Sequence, residues 1–263
     1  MSSRLRLGTT VLLLLTAIAA AEGWSVGAKE AGSHAGIALQ TILETEHTAR
    51  VLAVLLDSGR SVINEHQALV DEPGQSDKGK GLTPDVFDRQ LAEMFRSRSG
   101  IDLQDLSSSR VPAQAKMLIK ELVAVSRQVV VDAQPEINRS SGPRGLLPAI
   151  YGARVASRFT ERTGVRMKQT TLAPRNAANA PDTTERAALE LFADPGYPRE
   201  KPISETTAKS GILRLMFPLY TTRHCLDCHG EPKGVLDRTG YPREGWKLGQ
   251  NAGAISVMIP IAK

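Results

Sequence analysis

Ile212-Leu213-Arg214-Leu215-Met216-Phe217-Pro218-Leu219-Tyr220 decides the fold class of this chain. Its β-branched start and partial apolar alternation read as a strand. Residues 165–172 (VRMKQTTL) and 254–261 (AISVMIPI) read the same way, with a helix near residues 183–192 between the first two. Upstream the period changes. Leu39, Ile42, Leu43, Val51, Leu52, Val54, Leu55, Val62, Ile63 and Leu69 recur mostly at helical spacing, predicting one long helix over residues 37–70. Ser33 is its expected N-cap, Pro73-Gly74 its stop, and Gly59 a point where it bends. Thr83-Pro84-Asp85 opens a second helix to about Arg96, Pro112 a third to about Asp132, and residues 148–163 form a shorter fourth. The expected fold class is α+β: a helical N-terminal half, with a long helix and a helical hairpin, packed on a small antiparallel sheet. Residues 141–145 (SGPRG) are the clearest internal boundary, dividing a helical region, 22–140, from a sheet region, 141–263. No internal repeat and no low-complexity tract is read.

Composition narrows the function. The chain has 263 residues, 41% hydrophobic and 23% charged, an ordinary globular balance. Aromatic residues are only 4%, which argues against a base-stacking platform for single strands. Residues 1–21 (MSSRLRLGTTVLLLLTAIAAA) have Arg4 and Arg6, an apolar run and a small-residue cleavage site, the pattern of a signal peptide. The apolar run falls short of the ~20 residues that span a bilayer. Removing this segment takes away two arginines and no acid, lowering the formal charge from +5 to +3. No nucleic-acid partner is expected from so small a charge. The expected location is the periplasm, with a membrane contact only if the signal stays uncleaved.

Directly after the decisive strand comes Cys225-Leu226-Asp227-Cys228-His229, the CxxCH attachment pattern of c-type haem. Two thiols three residues apart reach the two vinyl groups of one porphyrin, and the adjacent histidine serves as proximal ligand to the iron. Export agrees with it, since bacterial haem c is attached outside the cytoplasmic membrane. Three rival readings stand beside it: a thioredoxin-like redox pair, a plain Cys225–Cys228 disulfide, and zinc held by His224, Cys225, Cys228 and His229. Arg175 and Asn176, just after the first strand, are placed to bond haem propionates or to lock their loop. An alternative puts Arg175 with Asp182 and Glu185 in a structural hydrogen-bond network. Arg223 and Lys233 are further propionate candidates. Met167 and Met216 read as core residues, and His66 as facing solvent or a helix partner.

The flanks carry more. Thr170-Thr171-Leu172-Ala173-Pro174-Arg175-Asn176 continues to Asn179, Pro181, Asp182 and Glu185; Cys225 to Gly230 follows; Glu244-Gly245-Trp246 leads to Gly253-Ala254-Ile255-Ser256-Val257. Together these resemble bacterial c-type haem domains with a PAS-like fold, which occur alone or as the extracytoplasmic part of sensor kinases and chemotaxis-type receptors. The resemblance runs from about Val62 to Ile261. It implies one covalent haem c through Cys225 and Cys228, with His229 on the iron. Some members of that family add a cysteine thiolate as second axial ligand, and Ala153 stands about there in this chain. The sensor-linked members continue into a transmembrane helix and a signalling domain; none is expected after Lys263.

The expected function is an exported monohaem protein that senses redox state or a diatomic gas, passing its signal to a separate partner. A periplasmic electron-transfer cytochrome is the alternative, and a peroxidase-like haem enzyme a weaker one. No acid–base constellation for catalysis is readable, so a non-enzyme is expected. The long helix is compatible with a homodimer. No distal ligand to the iron is named from the sequence.

Overall fold

The computed structural model describes the backbone of residues 21–70, 81–138, 146–207 and 211–261, and the side chains of residues 39–67, 81–138, 146–206 and 211–261. The expected signal peptide falls almost wholly outside these residues, as do the Pro73-Gly74 stop and the 141–145 boundary. Backbone contacts divide the chain into two units, Met1–Ile42 and Leu43–Lys263. The described part of the first is helix throughout. Among the described residues no helix is long and apolar enough to cross a membrane.

Helix α1 covers Ala21–Val70, so Ser33 lies inside it and does not cap it. The helix continues through Gly59, whose lack of a side chain serves packing. A Cβ there would stand 2.1 Å from the hydroxyl oxygen of Tyr151. Helix α2, Pro84–Ser99, starts as expected, with Thr83 Oγ1 accepting the Val86 N–H at 3.2 Å. Helix α3 is Ala113–Asp132, α4 the single turn Gln134–Ile137, and α5 Pro148–Thr163.

These helices hold a repeat that the linear pattern hides. Residues 82–101, LTPDVFDRQLAEMFRSRSGI, match residues 146–165, LLPAIYGARVASRFTERTGV, across their whole length. Ahead of each, residues 59–70 (GRSVINEHQALV) match residues 126–137 (SRQVVVDAQPEI). The matched positions are buried in both copies: Val62 and Val129, Leu82 and Leu146, Phe87 and Tyr151, Leu91 and Val155, Phe95 and Phe159, Ile101 and Val165. Gly100 and Gly164 end α2 and α5 in the left-handed conformation, each with φ 73°. The copies meet at one equivalent pair, with the Phe87 and Tyr151 ring centroids 5.7 Å apart. The helical half thus carries a repeated pair of helix segments. The offset changes from 67 residues in the first segment to 64 in the second. That change, with few identities, obscures the match in the bare sequence.

The sheet has four antiparallel strands in the order β1-β4-β3-β2: β1 Arg166–Thr170, β2 Ile203–Thr207, β3 Ile212–Tyr220 and β4 Asn251–Pro260. The edge strand β2 (ISETT) was not expected, because it is short and its polar residues lack the apolar alternation of a buried strand. Helix α6, Thr183–Ala193, covers one face, where Ala188, Leu189 and Phe192 pack on Met216 and Ala254. Helix α5 covers the other, with Gln169 Nε2 donating to Ala149 O at 2.9 Å, and α3 packs behind α5. Opposed residues of paired strands share a face, which puts Ile255 and Phe217 with Gln169 on the α5 side. Met167 and Met216 are buried.

Candidate functional site

Strand β3 delivers the chain to the cysteine pair. After Tyr220, Thr221 is held by backbone bonds to Gln250 and Gly249, and a tight turn over Arg223–Cys225 runs into the one-turn helix α7, Leu226–His229. The motif thus sits at a helical corner. Gly230 closes it, since a Cβ there would lie 2.6 Å from the Leu226 carbonyl oxygen. Both cysteines are free thiols and half-buried, so the disulfide reading is not realised. The Thr222 N–H points at Cys225 Sγ at 3.4 Å. Burial, then the neighbouring Asp237 charge, pushes the Cys228 thiol up from its ordinary range. Among the described residues no three His, Cys, Asp or Glu side chains gather as a metal site, which leaves the zinc reading without its ligand set.

His229 is held on two sides. Its ring stacks on Trp246, with centroids 4.6 Å apart and planes 14° from parallel. Its Nδ1 lies 2.7 Å from Glu244 Oε2. A carboxylate only accepts, so Nδ1 carries the hydrogen, and in the neutral ring the Nε2 lone pair is left for another partner. Glu244 is held by Arg175, whose Nε donates to Oε1 at 2.6 Å and whose Nη2 donates to Oε2 at 2.9 Å. Arg175 also donates to Asp237 at 2.6 Å and to the Cys228 carbonyl at 3.0 Å. Burial alone would raise both carboxyls. For Glu244 the Arg175 and His229 hydrogen bonds outweigh it; for Asp237 those from Thr239 and Arg175 do, and both end below the ordinary carboxylate range.

Arg175 therefore ties the loop after β1 to the segment that carries the cysteines. Asn176 locks that loop, its Oδ1 accepting the Ala178 N–H at 3.0 Å. The network expected to join Arg175, Asp182 and Glu185 is two networks. Asp182 and Glu185 form a capping box on α6 and pair with Arg214 and Lys168. His66 bonds Gln90 of α2 at 2.6 Å, the helix partner expected for it. Asp237, and the way Glu244 and Trp246 converge on His229, were missed, because they approach from residues distant in sequence.

Beside this cluster lies a cavity of about 880 Å³. One wall is the end of β3 from Phe217 to Tyr220, continuing through Thr222, His224 and Cys225; another is a helical stripe of α1 from His47 to Glu65. Arg50, Arg60, Arg98 and Arg199 contribute to the lining. Asp57 takes up Arg60 and Arg98, each at 2.6 Å, and Arg199 stacks on Tyr220 at 4.6 Å. Cys228, His229, Arg175 and Asn176 are not part of the lining. The donor set fits the haem that the motif predicts: two free thiols, an imidazole with one nitrogen open, and an adjoining cavity where Val51, Val54, Phe217 and Leu219 stand among cationic groups.

A sequence model of the Tll0287-like family matches residues 38–260, most of the chain. The chain belongs to the Tll0287-like family. As a Tll0287-like protein it is matched from within α1 to the last residue of β4, further upstream than the resemblance read from the motifs. The crystal structure of the cyanobacterial heme-protein Tll0287 is similar at 20% identity, with a TM-score of 0.37, covering 58% of this chain and 98% of that one. No curated protein sequence matches this Tll0287-like chain.

Proposed function

We propose that this chain is an exported monohaem c protein that reports redox state or the presence of a diatomic gas. The observation that carries the reading is His229, next to two free thiols, with Nδ1 fixed on Glu244 and Nε2 open. The thiols of Cys225 and Cys228 would hold the porphyrin through thioether bonds. Cys225 anchors from the cavity wall and Cys228 from α7. His229 would hold the iron through Nε2, with Glu244 fixing the imidazole's orientation and strengthening it as a donor. When bound, the haem supplies a one-electron couple and a coordination site for a small ligand. Arg50 and Arg199, which line the cavity, would meet the propionates, while Arg175 and Asn176 take the loop-locking role. The sheet with helices on both faces is the part read as PAS-like, and the helical half receives its shape change. The name of the cyanobacterial heme-protein Tll0287 supports the reading.

Export rests on the signal pattern of residues 1–21, and the absence of a catalytic role on the lack of a readable acid–base pair. A homodimer through α1, where Leu39 and Leu43 are exposed one turn apart, belongs to the same reading. An electron carrier is the second reading, favoured by further iron-binding side chains on the cavity wall. The test is an optical spectrum of protein made with the haem c maturation machinery, ferric and ferrous, with and without carbon monoxide. Haem that survives denaturing electrophoresis on the polypeptide is expected; its absence overturns the proposal. Carbon monoxide binding to the ferrous form supports a gas sensor; a low-spin iron that ignores it leaves redox sensing or electron transfer.

A further inference from the structure

We propose that His47, on α1, is the second axial ligand to the iron of the haem c assigned above, a proposal that rests on that assignment. The chain has two cysteines and the attachment motif uses both, so no thiolate is left, and Ala153 offers no donor atom. The histidine and methionine side chains that line the same cavity as Cys225 are His47, Met94 and His224; Tyr220 also lines it, but its ring is covered by Arg199. His224 adjoins the attachment cysteine and is tethered to the same wall.

The pairing of α1 with α2 separates the other two. Arg98 pairs with Asp57 at 2.6 Å and His66 with Gln90 at 2.6 Å, so the helices run antiparallel. Interpolating between these pairs sets Met94 alongside the turn holding Ser61 and Asn64. That end of the stripe is polar, and the Asp57 ion pairs follow it. His47 lies fourteen residues before Ser61, roughly 21 Å along the helix axis. Its own end of the stripe carries Val51 and Val54, with Arg50 beside them. A macrocycle needs apolar walls around its iron and a cation at its propionate edge, and the His47 end supplies both. The imidazole is exposed and has no hydrogen-bond or ion-pair partner among the described residues.

The full-length holoprotein, as wild type, His47→Ala and Met94→Leu, decides the matter by absorption, electron paramagnetic resonance and near-infrared magnetic circular dichroism. The expected result is a low-spin ferric wild type with a bis-imidazole charge-transfer band. His47→Ala loses that band, turns high-spin and binds carbon monoxide when reduced, whereas Met94→Leu keeps the wild-type spectra. A high-spin wild type, a low-spin spectrum unchanged by His47→Ala, or a histidine–methionine band lost in Met94→Leu each overturns the proposal. His47 is exposed, so its replacement leaves the folded core intact. Wild-type protein that carries no covalent haem overturns the c-type assignment first, and this proposal with it.

Discussion

The duplicated helices and the cluster around His229 are held together by opposite means. In the helices, matched large side chains fill one another's space: Phe87, Phe95, Tyr151 and Phe159 are all fully buried. Each contributes on the order of 2 kcal/mol by leaving water. Around His229 little is apolar. Arg175 joins Asp237 and Glu244, and Glu244 holds the imidazole. The Asp237 side chain is fully buried, so its charge depends on its partners. The core between the helices is therefore sensitive chiefly to side-chain volume, and the cluster around His229 chiefly to charge.

The largest expected effect lies in the motif. Replacing Cys225 and Cys228 together with serine abolishes covalent haem, read by haem staining, while circular dichroism of the helices stays unchanged. Phe87→Ala removes the contact between the two copies and costs about 3–5 kcal/mol in urea unfolding. An effect below 1 kcal/mol would show that the copies do not depend on that contact.

Arg175→Met leaves a buried carboxylate without its cation and costs ~3 kcal/mol at neutral pH. Its pH dependence sharpens the contrast. Asp237 and Glu244 titrate below their ordinary range. The stability they add is complete above that range and is lost as pH falls through the lowered folded values. Without Arg175 the lowering shrinks, so acid unfolding moves to higher pH. Phe87→Ala should lower the whole curve without moving its acid limb.

Glu244→Gln keeps the shape and loses the charge. About 1 kcal/mol of stability is expected to go, and the reduction potential of the holoprotein should rise, because an amide strengthens the imidazole less than a carboxylate does. An unchanged potential would mean that His229 does not meet the iron through Nε2. Smallest is Thr83→Ala, which removes the cap of α2 for about 1 kcal/mol or less.

Much of the architecture is legible in local pattern. The bounds of β3 and α5, the start of α2 at Thr83-Pro84 and the span of α3 follow from apolar period and helix-start residues. The edge strand β2 is not legible, because a polar strand takes its conformation from the neighbour it pairs with. Gly59 illustrates the same limit. Its sequence context suggests a bend, yet the glycine is required by Tyr151, 92 residues later, whose hydroxyl occupies the place of a Cβ. The duplication also stays hidden until burial is known, since it conserves which positions are inside more than which residues fill them.

The candidate site divides in the same way. Cys225, Cys228 and His229 are named by their spacing alone, because the attachment proposed for them is a local demand on five consecutive residues. Arg175 and Asn176 are marked by sequence, but the partners of Arg175 are not. Glu244 and Asp237 lie more than sixty residues from it and become neighbours only when the sheet brings the β1 loop against the segment after α7. The sequence by itself determined the α+β class, the starts of α2, α3 and α5 and the CxxCH triplet, all of which depend on residues within a few positions of one another. Only the tertiary structure decided which carboxylate holds the histidine, which helix face lines the cavity and how the two helical copies meet. Those are contacts between distant segments, and burial fixes them where local pattern carries no information.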